Sequence, residues 1–314
     1  PTVPDQFARK DMRDPYLWKQ GDTYYMMVGF GLERDDHRVG SLLFYKSENL
    51  KDWKFLSTFY TGEPEMDNSG VFWEMPVFWK FGDKYVLLVN KVPYQGEPAR
   101  ALYWVGEFKS ETFIPDFKEP KRLEVVNGLL SPSLARDQKG RCIAIAIIPD
   151  EVGPKANYNL GWAHLYSIPR IWKLEDGELK QHPHPQLEKM RSDHRHFENI
   201  SLGQSASQSQ PTIKQRQVEI RAEITRNEAD QVGFYVGKSP DGKEYTEIVY
   251  DYNTNRFTVD RTHSSQNPNM HDDIKTGYYQ GESEEDTLDV HIYVDGSVVE
   301  VFLDDGAAFT TRMF

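Results

Sequence analysis

Apolar residues in this chain come in short runs, alternating with polar ones and broken by Gly-Asp or Asp-Gly pairs. From Asp14 the chain reads Asp-Pro-Tyr-Leu-Trp-Lys-Gln, turns at Gly21-Asp22, and resumes as Thr23-Tyr24-Tyr25-Met26-Met27-Val28. From Met75 it reads Met-Pro-Val-Phe-Trp-Lys-Phe, turns at Gly82-Asp83, and resumes as Lys84-Tyr85-Val86-Leu87-Leu88-Val89. The two stretches lie 61 residues apart and share Pro, Trp, Lys, Gly, Asp, Tyr and Val without a gap. Each predicts a β-hairpin. A weaker third copy runs through Ser131–Ala135, a polar turn at Asp137–Gly140 and an apolar strand over Arg141–Ile148.

More strands follow the first two hairpins, at Ser41–Lys46, Trp53–Phe59, Ala101–Phe108 and around Thr112–Phe117. About four strands per repeat of roughly 60 residues is the pattern of a propeller blade. Residues 1–195 therefore predict about three blades, whereas a closed ring takes about four to eight. Open blade edges are avoided in folded proteins. The expectation is that further blades are absent from this segment, lost by truncation or supplied by another chain.

Ser192–Gln210 is polar and reads as a linker or crossing loop. Beyond it, Val218, Ile220, Ala222 and Ile224 alternate with Glu219, Arg221 and Glu223, the signature of a strand with one wet face. Further strands are predicted at Val232–Val236, Thr246–Tyr252, Phe257–Arg261, Leu288–Val294 and Val298–Leu303, with turns at Asp295-Gly296 and Asp305-Gly306. Residues 196–314 thus predict a β-sandwich. The chain reads as all-β, a partial propeller over residues 1–195 followed by a sandwich.

Composition adds a ligand class. Hydrophobic residues make up only 38%, yet aromatics reach 13%, with 17 Tyr, 17 Phe and 7 Trp. Flat rings pack well on pleated sheets, and they also stack on the apolar faces of sugars. A net charge of −12 argues against nucleic acid and anionic membranes. The single cysteine, Cys142, lies in an apolar run and reads as buried filler. No apolar stretch reaches the ~18 residues of a membrane span. Localisation is left open: extracellular or periplasmic if a leader lies upstream, cytoplasmic otherwise.

Candidate chemistry gathers at the blade starts, Arg13-Asp14-Pro15 and Trp73-Glu74-Met75-Pro76. Innermost propeller strands face the central channel, so Asp14 and Glu74 are expected to converge at its mouth. Paired carboxylates suit glycosidic cleavage: one protonates the leaving oxygen while another attacks, activates water or stabilises oxocarbenium-like charge. The plainer alternative is that Asp14 caps a turn and Glu74 pairs with Lys or Arg. Trp73 and Trp162 are candidate sugar-stacking rings, whereas Trp18 and Trp79 read as blade core. Asp67–Gly70 reads as a turn before the Glu74 strand, and Asp137 as solvent-exposed. His182, His184, His194 and His196 read as a solvated loop, because no ligand spacing accompanies them. No cofactor and no metal are expected.

These motifs resemble glycoside hydrolase family 32, the invertase, inulinase and levanase group. The resemblance rests on Arg13-Asp14-Pro15, Phe44–Trp53, Phe72–Pro76, Gly161–Arg170 with Trp172–Leu179, Val294–Phe302 and Thr311–Phe314. It implies a five-bladed propeller with a sandwich, and retaining hydrolysis of β-fructofuranosyl bonds in sucrose or fructans. It further implies that Asp14 is the transition-state stabiliser and Glu74 the general acid/base, its pKa raised by apolar neighbours. Arg13 would flank Asp14 and contact Glu74 or the sugar. The family's nucleophile is an Asp in an Asn-Asp-Pro motif, which this sequence lacks. The resemblance therefore places the nucleophile before Pro1, and the segment alone is expected to be inactive. Met75 and Val77 also replace the common Cys and Asp. Two other readings are an inverting, arabinanase-like glycosidase and a non-catalytic sugar-binding protein.

Overall fold

The computed structural model describes residues 1–8, 11–34, 37–63, 68–150, 152, 154–202, 212–270, 272–281, 287–303 and 305–313. The linker residues 203–210, Asp67 of the predicted turn, and Phe314 of the last motif lie outside the described residues. Three antiparallel sheets come first. The first has the order β1 (Met12–Gln20), β2 (Thr23–Arg34), β3 (His37–Ser47), β4 (Lys54–Thr61). The second has β5 (Phe72–Phe81), β6 (Lys84–Val92), β7 (Arg100–Lys109) and β8 (Thr112–Pro115), with β9 (Lys121–Arg122) also pairing β7. The third contains β10 (Leu130–Arg136) and β11 (Cys142–Ile148), with β12 (Leu165–Tyr166) beside β11, followed in sheet order by β13 (Arg170–Glu175) and β14 (Glu178–Pro183). These are three propeller blades, built on the predicted repeat.

The hydrophobic pattern explains each blade. Central β2 and β6 are buried through Tyr25–Gly31 and Tyr85–Lys91, so they read as apolar runs, whereas β1 alternates because one face is more open. The repeated turn glycines, Gly21, Gly82 and Gly140, have φ of 62°, 56° and 76°, a region that costs other residues about 1 kcal/mol or more. Between the first two sheets lies an aromatic core in which Trp18 stacks on Phe44 at 5.8 Å and Phe78 on Tyr85 at 4.6 Å. Trp18 thus sits in core, as expected, while Trp79 lies under the Arg136 guanidinium at 4.9 Å. Cys142 is buried, and burial pushes its thiol up to about 12.

Spatially the described chain forms two compact units. One comprises Pro1–Leu123, Leu129–Ile147 and Lys173–Leu179; the other comprises Glu124–Gly128, Ile148–Trp172 and Lys180–Phe314. The second holds a sandwich of two four-stranded sheets. The strands are β15 (Gln217–Thr225), β16 (Gln231–Val236), β17 (Thr246–Asp251), β18 (Arg256–Asp260), β19 (Ile274–Tyr278), β20 (Thr287–Asp295), β21 (Val298–Leu303) and β22 (Ala308–Arg312). One sheet is ordered β15-β20-β21-β22 and the other β16-β17-β18-β19. Their inner faces share a core of Ile248, Tyr250, Phe257, Val290, Ile292, Val301 and Phe309.

Two expectations need correction. His182 lies within β14, and His184 is buried, its Nδ1 accepting the Gln186 N–H at 3.1 Å to cap a 3₁₀ turn over Pro185–Met190. Those two histidines are structural and not part of a solvated loop; His194 and His196 are exposed. Asp137 is drawn in by its own turn, accepting from the Lys139 and Arg141 amides and pairing with the Arg141 guanidinium at 2.7 Å. A short helix, α1 (Pro154–Leu160), which the pattern did not predict, lies between β11 and β12. No described helix is long and apolar enough to cross a membrane.

Candidate active site

Each blade begins with the same irregularity. Asp14, Met75 and Ser131 have φ of 60°, 44° and 53°, and each directly precedes a proline. Strand pairing slips there, between Arg13 and Pro15, Glu74 and Val77, and Leu130 and Ser133. Left-handed backbone in a non-glycine residue costs of the order of 1 kcal/mol, so its threefold recurrence marks a fixed feature of the blade. A bulge also breaks the strict in-out alternation and re-aims side chains.

The result is a cluster across the first two blades. Arg13 Nε donates to Glu74 Oε1 at 2.9 Å, and its Nη2 lies 2.9 Å from the same oxygen. Arg13 Nη1 donates to both Asp11 oxygens at 3.0 Å, and the guanidinium rests 3.8 Å from the Phe72 ring centroid. Burial works against the Arg13 charge, but the bonds to Glu74 and Asp11 prevail and raise its pKa. The Met75 N–H donates to Asp14 Oδ2 at 3.0 Å. Arg13 and Asp14, consecutive on one blade, thus both address the start of the next. Among the described residues, Glu74 Oε2 and Asp14 Oδ1 make no further hydrogen bond, which leaves each carboxylate one oxygen for a ligand.

Sequence reasoning missed Asn90. Its side-chain nitrogen donates to the Glu74 and Met75 carbonyls, both at 3.3 Å, and its Oδ1 accepts the Ser131 N–H at 2.8 Å. One carboxamide therefore pins the bulge under Glu74 and the equivalent bulge of the third blade. The signal was present: Asn90-Lys91 interrupts the apolar run Val86–Val92.

Trp73 is a correction. It is fully buried, its Nε1 donates to the Ser69 carbonyl at 2.8 Å, and its ring packs against Trp104 and Tyr60. It offers no face to a sugar; it is the core on which Glu74 stands. Trp162 keeps 42% exposure, with the Arg312 guanidinium 5.6 Å over its ring. It belongs to the other unit. No cluster of His, Cys, Asp and Glu able to hold a metal occurs among the described residues.

Comparison with known proteins adds ancestry. Residues 1–183 match the family model "Glycosyl hydrolases family 32 N-terminal domain", and residues 186–314 match "Glycosyl hydrolases family 32 C terminal". A sucrose-6-phosphate hydrolase of Staphylococcus xylosus is 28% identical across 100% of this chain and 62% of its own length. A levanase of Bacillus subtilis is 26% identical across 99% of this chain and 47% of its own length. The chain thus spans less than two thirds of these relatives. Among solved structures, a sucrose-6-phosphate hydrolase from Lactobacillus gasseri superposes with a TM-score of 0.78 at 23% identity, over 99% of this chain and 63% of the other. Fructan 1-exohydrolase IIa from Cichorium intybus superposes with a TM-score of 0.72 at 16% identity, over 99% and 67%. Both likenesses speak to the fold.

Proposed function

The chain belongs to glycosyl hydrolase family 32, and on that premise we propose that the natural protein carrying it cleaves β-fructofuranosyl linkages with retention of configuration. The relatives named above point to sucrose, its 6-phosphate and fructans as the substrates to test. Glu74 is the general acid/base: Oε1 is held by Arg13, and Oε2 is left to carry the proton to the leaving oxygen and later to take one from water. Asp14 binds fructose hydroxyls through Oδ1 and strengthens those bonds as positive charge develops on the ring. Arg13 sets the Glu74 rotamer. The attacking nucleophile is not assigned to any described residue.

The observation that carries this reading is the Arg13–Glu74 pair beside Asp14, two carboxylates on adjacent blade starts, each with one oxygen fixed and one open. The test is fructose release by the full-length natural protein from sucrose, sucrose 6-phosphate, inulin and levan. Glu74→Gln should lower kcat by roughly 10²–10⁴-fold, with part of the rate returning on a substrate whose leaving group needs no proton. A Glu74→Gln protein that keeps its rate on unactivated sucrose refutes the assignment.

A further inference from the structure

The bulge that opens each blade holds one residue with left-handed backbone: Asp14 in the first, Met75 in the second and Ser131 in the third. Strand pairing makes the three equivalent. Arg13 faces Gly29, Glu74 faces Asn90 and Leu130 faces Ile147 just before the bulge, and pairing resumes one extra residue later in every case. Equivalent backbone sends the side chains out in equivalent directions. Asp14 is the first of the three, and its carboxylate keeps an open oxygen at the proposed site. Met75 and Ser131 continue the same rim, one blade and two blades on.

Met75 is 38% exposed. Ser131 is half-buried, and among the described residues its hydroxyl makes no hydrogen bond. Its amide is held by Asn90 Oδ1 at 2.8 Å, and the same carboxamide donates to the Met75 carbonyl at 3.3 Å. The Ser131 nitrogen and the Met75 oxygen are thus no more than about 8 Å apart, the span of one carboxamide with a hydrogen bond at either end. One sugar residue bridges that gap.

The order along the rim assigns its sides. Asp14 reaches across to the Met75 amide, and Asn90 carries the contact on to the third blade, so Glu74 stands between Asp14 and Ser131. The acid marks the scissile oxygen. With the fructosyl ring on Asp14, the leaving group lies beyond Glu74, over Met75 and towards Ser131. The chemistry of the two sides agrees. Positive charge develops on the fructosyl ring, where a carboxylate helps. The departing oxygen takes its proton from Glu74 and leaves neutral, so its side needs no charge. Where the first two blades carry Arg13 and Glu74, the third carries Leu130, and Met75 and Ser131 are uncharged too. A thioether beside a hydroxyl suits a neutral sugar, which offers C–H faces and hydroxyls.

We propose that Ser131 is a specificity-determining residue whose hydroxyl bonds a hydroxyl of the leaving-group sugar, with Met75 against that sugar's C–H face. The proposal rests on the reading of Glu74 as the acid and Asp14 as the fructosyl contact.

The test uses the full-length protein and its Ser131→Ala and Ser131→Gly variants. Glycine suits left-handed backbone, so Ser131→Gly carries the test if Ser131→Ala does not fold. kcat/KM is measured for sucrose and for β-fructofuranosyl fluoride, which has the same fructosyl group and no leaving-group sugar. Each substitution should lower the ratio of the sucrose value to the fluoride value by roughly two- to tenfold, the scale of one neutral hydrogen bond. Calorimetric titration of sucrose and of fructose into Glu74→Gln protein, with and without the Ser131 substitution, runs in parallel, and only sucrose should bind more weakly. If the wild type cleaves neither substrate, the failure belongs to the function reading, and selective weakening of sucrose binding still supports the Ser131 contact. A ratio unmoved in both variants overturns the proposal. So does equal weakening of sucrose and fructose, which would make Ser131 a purely structural residue. Sucrose binding that is the same with and without the substitution, or absent from both proteins, overturns it as well.

Discussion

Three hydrogen bonds meet on the Asn90 carboxamide, which is 3% exposed, and all three go to backbone at blade starts. Asn90→Ala would leave the Ser131 N–H and two carbonyls without their partner, and a buried group stranded in this way costs about 1–3 kcal/mol. The expected outcome is a loss of roughly 2 kcal/mol in urea unfolding together with a lower kcat, because the backbone under Glu74 loosens. An unchanged kcat with lowered stability would limit Asn90 to a structural role. That Arg13, Asp14 and Glu74 come together was legible in the sequence, because the repeat marks blade starts and neighbouring blade starts meet. Trp73 was misread against the rule of alternation: neighbours along a strand point to opposite faces, so a ring beside an open Glu74 turns away from it. Trp73 accordingly lies in the aromatic core between the first two sheets.

At the scale of elements, the hairpins, their glycine turns and most sandwich strands could be read directly, since each carries its own period and punctuation. Strands β19 and β22 could not. Ile274-Lys275-Thr276-Gly277-Tyr278 has little apolar alternation and pairs as a sheet edge, and Ala308–Arg312 is buried along its whole length. The 3₁₀ turn is tied down by a contact of long sequence separation. Just beyond it, Arg191 grips Glu219 of β15 through two bonds, at 2.6 and 2.5 Å, while His291 Nε2 and the Tyr293 hydroxyl approach the same carboxylate at 2.7 and 3.2 Å. The Arg191 bonds lead in holding Glu219 down at a pKa of about 2. A carboxylate whose folded pKa is depressed stabilises the fold above its unfolded pKa of about 4.3, and that contribution fades as pH falls towards the folded value. Burial lowers the His291 pKa, so its contribution is likewise lost on acidification, beginning near its unfolded value of about 6.5. Wild type should therefore lose stability between about pH 5 and 2 more steeply than Glu219→Gln. Thermal melts across that range decide the point, and parallel pH profiles would refute it.

For the whole molecule, the informative feature is a polar network inside the second unit. Arg170 donates to Glu300 Oε2 at 2.6 Å, to Thr310 Oγ1 at 2.6 Å, to Gln181 Oε1 at 2.9 Å and to Glu124 Oε1 at 3.2 Å. Arg170, Glu124 and Glu300 are 1–2% exposed. Glu124 also accepts the Gly128 N–H and Glu300 the Ile168 N–H, so the carboxylates are well supplied with donors, although burial pushes both of their pKa values up. Removing one member of such a cluster strands the others: Arg170→Met should cost about 3–5 kcal/mol. Glu124→Gln, which keeps the shape and removes a charge that burial disfavours, should cost far less. The network also decides how the chain can be cut. The two family models meet between residues 183 and 186, yet Arg170, Glu124 and Gln181 lie before that boundary, and Glu300 and Thr310 after it. Residues 186–314 expressed alone would keep the sandwich strands but bury Glu300 without a cation. Such a fragment should show no cooperative thermal transition, and Glu300→Gln within it should recover part of one. If the unmodified fragment melts cooperatively at the temperature of the whole chain, Arg170 is not what holds the closing strands in place.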